Sequence, residues 1–136
     1  MRQMLAFLLL MSLAVPAYAT YRAINLLNVV PIDQNTFEVI EDRGAGASDI
    51  WCAAADYARA AGLDGPRKRM YVLDVRGQSK TTANAVGIVF TLDPSEDIRN
   101  TAPSYSVTVT RKGENLPISH AFDFCNDVRF DTLKNF

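Results

Sequence analysis

Three side chains could carry covalent or redox chemistry: Cys52, Cys125 and His120. They are the only two cysteines and the only histidine among 136 residues. An even cysteine count in an oxidising compartment points to one bridge. A Cys52–Cys125 bond would span 73 positions. In the chain-entropy picture, closing such a loop stabilises by roughly 4 kcal/mol. The alternative is a reactive Cys52, its thiolate stabilised by a helix N-terminus and by the imidazole of His120.

A cysteine near a helix start with a histidine on a later sheet strand resembles the layout of papain-like peptidases, including small secreted cell-wall hydrolases. That resemblance implies a cysteine hydrolase with Cys52 as nucleophile and His120 as base. Three features oppose it. Helical spacing puts Cys52 on the polar face, away from a sheet; Cys125 offers it a partner; and no family signature surrounds it. His120 reads instead as a hydrogen-bonded residue on a strand face with Ile118, Phe122 and Phe124.

Other chemistry lacks its parts. One histidine and two bridged cysteines are too few for zinc. Asp123, Asp127 and Asp131 recur every fourth residue, but calcium loops are denser and carry a glycine. Gly44-Ala45-Gly46 precedes a helix N-terminus, where free N–H groups can cradle phosphate. Asp49 stands where a third glycine would, and its charge repels a phosphate. No metal and no cofactor is expected. There is no G-x-S-x-G and no C-x-x-C.

The leader states an address. Arg2 is followed by the apolar run Leu5–Val15, then Pro16 and Ala17-Tyr18-Ala19. This is the pattern of a secretory signal peptide cut near Ala19. A run of eleven residues, broken only by Ser12, falls short of the roughly 20 apolar residues needed to span a bilayer. The expected mature chain starts at Thr20 and has 117 residues, the 136 less 19 of leader. It has 13 basic and 15 acidic side chains, a net −2. Such a chain has no electrostatic reason to bind nucleic acid. The expected location is the bacterial periplasm or the medium, with no membrane span.

The remaining sequence reads as one α+β domain, residues 20–136. Tyr21–Ile32 reads as one strand or extended segment, and Thr36–Glu41 as a strand. Arg43–Ala47 is a turn. Ser48 as N-cap, Asp49 in the first turn and a run of alanines predict a helix at about 49–61. Ile50, Ala53, Ala54, Tyr57 and Ala61 form its sheet-facing side. Four strands are expected next: Met70–Val75, Ala85–Leu92, Tyr105–Thr110 and Ile118–Phe124. Asp93–Ser104 is a surface loop, and Arg111–Asn115 the turn of a hairpin. The order β-α-β-β-β-β is that of the cystatin-like roll, a likeness of topology alone. The expected packing is one helix on a curled, mainly antiparallel sheet of four to six strands. A Cys52–Cys125 bond would draw the chain end across the helix's outer face, with Phe130 and Leu133 beside Trp51.

The expected function is a non-catalytic binding or accessory protein with an unknown protein or small-molecule partner in the envelope. Its candidate contacts are Arg43, Gly44 and Gly46 in the glycine turn, and Asp97 and Arg99 in the acidic loop.

Overall fold

The computed structural model describes residues 19–102, 104 and 106–127. Residues 1–18, most of the expected leader, and 128–136, which include Phe130, Asp131 and Leu133, lie outside the described residues. Six strands form one antiparallel sheet: β1 (Tyr21–Arg22), β2 (Asn28–Pro31), β3 (Thr36–Ile40), β4 (Arg69–Gln78), β5 (Val86–Thr91) and β6 (Asn115–Pro117). Their spatial order is β1-β2-β3-β5-β4-β6. One long helix, α1 (Ala47–Ala60), packs on the sheet. Two short helices, α2 (Glu96–Arg99) and α3 (Ile118–Asp123), follow among the described residues. This is the expected α+β class, with a helix on a six-stranded antiparallel sheet.

Alternation decides the faces of the central strands. Val29, Phe37, Val39, Met70, Val72, Ile88 and Phe90 are fully buried and join α1 in one core. Trp51 meets Phe90 edge-on at 4.9 Å, and Tyr57 meets Phe37 at 4.7 Å. The helix starts earlier than its sequence suggests. Gly46, not Ser48, is the N-cap, and Asp49 reaches back to accept its N–H at 3.0 Å. Ala61, placed by spacing on the sheet side, is the exposed C-cap.

The bond between Cys52 and Cys125 is present, with Cα atoms 5.0 Å apart, inside the range such bonds require. Both cysteines are fully buried. Cys52 does lie away from the sheet, and α3 crosses there. Ala55 and Ala58 are also fully buried. A helix covered on two sides has little need of a polar face, which accounts for the alanine run.

Three expected strands are corrected. Tyr21–Ile32 is not one segment but a hairpin, β1 turning into β2 through residues 23–27. Three strands therefore precede α1, unlike the order of the cystatin-like roll. Tyr105–Thr110 forms no strand among its described residues, 106–110. The N–H groups of Ser106, Thr108 and Thr110 bond to the hydroxyl two residues earlier, at 3.0, 3.2 and 3.2 Å. Serine and threonine side chains compete in this way with ladder bonds. The apolar alternation still serves the core. Val109 is buried, and the Val107 carbonyl accepts the Trp51 indole N–H at 2.7 Å. Ile118–Phe124 is mostly α3 rather than a strand. Ile118, Ala121 and Cys125 are buried at helical spacing, and that period prevails over alternation. Arg111–Asn115 therefore does not join two long strands. Asp93–Ser104 is not all loop either, since α2 lies within it and buries Ile98.

Candidate interaction surface

The glycine turn before α1 and the turn between β1 and β2 meet at the helix start. Arg43 and Gly44 adopt left-handed φ values of 52° and 70°. The Arg43 guanidinium donates to the Leu26 carbonyl at 3.0 Å. Asn25 Nδ2 donates to the Asp49 carbonyl at 2.7 Å, and Asn25 Oδ1 accepts the Leu27 N–H at 3.4 Å. The Ile24 N–H donates to Asp56 Oδ2 at 2.8 Å. Within the turn, Leu26 N–H bonds to the Ala23 carbonyl at 2.8 Å and Ala23 N–H to the Leu27 carbonyl at 2.9 Å.

These bonds hold Leu26 at a φ of 69°, a region that costs a leucine about 1–2 kcal/mol. Leu26 and Ile24 are nevertheless 48% and 38% exposed. The hydrogen bonds thus fix a short turn whose two bulky side chains face solvent. The largely apolar run over residues 21–32 is continuous in sequence and so hides this turn. Asn25, a turn former inside an apolar run, was the available signal.

Tyr21 anchors the same region. Its ring packs edge-on against Tyr57 at 5.7 Å, and its hydroxyl donates to Asp56 Oδ2 at 3.0 Å. Burial, the hydrogen bond to Asp56 and the Asp56 charge raise its pKa above the ordinary tyrosine range. The sign follows from linkage: the unfolded chain loses this proton first as pH rises. The associated stability is complete below about pH 10 and declines above it. Denaturation at successive alkaline pH values should show a smaller loss of stability for Tyr21→Phe than for the parent. Equal losses would remove Tyr21 from this role.

The other expected contacts lie elsewhere. Asp97 and Arg99 are on α2, where Arg99 approaches Asp93 at 4.0 Å. Both partners are well exposed, so the pair contributes little. No hydrogen bond or ion pair joins this group to Arg43, Gly44 or Gly46 among the described residues. Asp49 occupies the helix start, as expected from its charge. Cys52 and His120 do not form the catalytic pair of the alternative reading, because the Cys52 sulfur is bonded to Cys125. His120 is not on a strand. It is exposed on α3, with its ring 5.7 Å from that of Phe124.

A second polar centre has no counterpart in the sequence reading. Glu38 on β3 is 1% exposed and points to the sheet face opposite α1. Its carboxylate accepts from Ser79 Oγ, from Lys80 N at 2.7 Å, and from Thr81 N and Oγ1 at 3.3 and 2.7 Å. A buried carboxylate needs such donors, and here the loop after β4 supplies them. Gly87 leaves the room: a Cβ there would lie 2.6 Å from Glu38 Cδ.

Among the described residues, no group of three or more His, Cys, Asp or Glu could hold a metal ion. Nor is any helix there long and apolar enough to cross a membrane. Comparison with protein-family models, curated proteins and solved structures finds no match.

Proposed function

We propose that this chain is a small exported binding protein of the bacterial envelope, non-catalytic and stapled by one disulfide, which engages a protein partner through the turn at residues 23–27. The turn itself carries the proposal. A backbone held by Asp56, Asn25 and Arg43 presents Ile24 and Leu26 to solvent. A loop ordered before binding loses less entropy on association. Aliphatic groups shown this way suit an apolar pocket on another protein. Of the residues expected from sequence, Arg43 acts here by positioning Leu26, with Gly44 and Gly46 shaping its turn.

Two observations support the address. β1 begins at Tyr21, two residues beyond Ala19, so cleavage there would leave the sheet intact. A buried disulfide is at home in an oxidising compartment.

The test is site-specific photo-crosslinking in the source cells, with the crosslinker at position 26 and, as control, at exposed Lys68. The expected result is one dominant protein adduct from position 26 only. With that partner purified, Ile24→Asp with Leu26→Asp should weaken binding at least about 30-fold, as for residues central to an interface. Stability should not fall, because aspartate tolerates the left-handed backbone at position 26 better than leucine does. Equal adducts from both positions, or unchanged affinity in the double variant, would remove this surface from the proposal.

A further inference from the structure

The sheet face opposite α1 carries a cavity of about 200 Å³. Its floor is a pair of glycines, Gly77 on β4 and Gly87 on β5, directly opposed in register. Glycine inside a strand weakens it and often marks a close approach by another group. Gly87 is accounted for by Glu38, which lies where its Cβ would be. Gly77 is not accounted for. Its backbone is outside the left-handed region, and a Cβ there would meet only the Val75 carbonyl, at an ordinary 3.6 Å. Among the described residues the absent side chain makes way for no other group; it leaves the cavity open.

The walls state what could enter. Glu38 and Asp74 occupy one cross-strand row, each paired with Val89 on the strand between them. Both line the cavity. Among the described residues Glu38 Oε2 accepts only the Lys80 N–H, which leaves acceptor capacity on that oxygen. The half-buried Asp74 carboxylate has no hydrogen-bond or ion-pair partner among the described residues. Arg76, also at the wall, has its guanidinium engaged by Glu41. Val75, 41% exposed, and Val89 add apolar surface. Lys80 is an exposed cation at the rim.

We propose that this cavity binds a small aliphatic ammonium compound, with the ammonium between Glu38 and Asp74 and the hydrocarbon against Val75 and Val89. The volume suits about six or seven water-sized groups, the size of a free amine or amino acid. Lys80 would meet a carboxylate at the ligand's far end, so a zwitterion binds at least as well as a simple amine. The site is separate from the 23–27 turn, so its failure would leave the partner surface untouched.

The test is a two-dimensional NMR titration of the oxidised protein at neutral pH with three matched probes: n-butylammonium, γ-aminobutyrate and butyrate. The two amines should give saturable shifts at Gly77, Lys80, Gly87 and Val89, with Kd of about 1 mM or tighter. Butyrate should give none. Asp74→Asn should weaken both amines at least ten-fold while leaving the rest of the spectrum unchanged, because that carboxylate has no partner to lose. Gly77→Val should abolish binding by filling the floor. If γ-aminobutyrate binds more tightly, Lys80→Ala should erase the difference. Absence of saturation with either amine, equal binding of butyrate, or an Asp74→Asn variant with unchanged affinity would overturn the proposal.

Discussion

Replacing both cysteines, Cys52→Ala with Cys125→Ala, is expected to lower the unfolding free energy by about 2–4 kcal/mol. The bridge spans a sequence separation of 73 residues, and for a loop of that length the chain-entropy model puts the upper figure near 4 kcal/mol. Local structure gives a second reason. α3 has only six residues, too few to persist alone in water. It is held to α1 by the bridge, by the burial of Ile118 and Ala121, and by Arg59 stacked over the Phe122 ring at 4.0 Å. Without the bridge, α3 should open more readily than the sheet and uncover the side of α1 that carries position 52 and Arg59. Urea unfolding gives the size of the loss, and amide exchange its place. Protection at residues 118–125 should fall first, while β3 and β5 keep theirs until global unfolding. A loss below about 1 kcal/mol, or uniform exchange across the chain, would contradict this role.

Glu38→Gln is expected to cost about 2–4 kcal/mol, large for a substitution that preserves size. A carboxylate is acceptor-only, whereas an amide turns one oxygen into a donor. Glu38 faces only donors: two hydroxyls and two N–H groups from residues 79–81. Glutamine would set N–H against N–H at one of these positions, and bonds to a charged group are the stronger kind that would be lost. Gly87→Ala should act through the same clasp. Its methyl would require the Glu38 side chain to move, carrying the carboxylate off its donors. The two effects should therefore not add, because residues sharing one network couple. A double-mutant cycle by urea unfolding should give a coupling of at least about 1 kcal/mol. Additive losses would mean that Gly87 and Glu38 act separately.

Local signals were the legible ones. Asp49, the alanine run and the flanking glycines placed α1 to within two residues. Alternation found β3 and β5, and located the start of β4 within one residue. Compartment and count indicated the Cys52–Cys125 bond, and helical spacing placed it on the side of α1 away from the sheet. The failures share a cause: one pattern served two structures. Ser106, Thr108 and Thr110 alternate with valines as in a strand, but hydroxyls two residues earlier hold their N–H groups. Ile118, His120, Phe122 and Phe124 also alternate, yet Ile118, Ala121 and Cys125 define the buried side.

The candidate sites were less legible because their bonds join distant parts of the chain. Ile24 meets Asp56 across 32 positions, and Glu38 meets the 79–81 loop across more than 40. Arg43 was visible as part of a glycine turn. Its hold on Leu26 requires the β1–β2 hairpin to fold back on α1, which no local spacing announces. Gly77 and Gly87 stand out only once register sets them opposite each other.

Export and the Cys52–Cys125 bond make one joint prediction. Intact mass of the protein recovered from the envelope fraction tests it most directly, measured with and without reduction after alkylation of free thiols. The expected mass is that of Thr20–Phe136 less two hydrogens, with no alkylation before reduction and two alkyl groups after it. A mass that retains residues 1–19, or an alkylated Cys52 without reduction, would contradict the account.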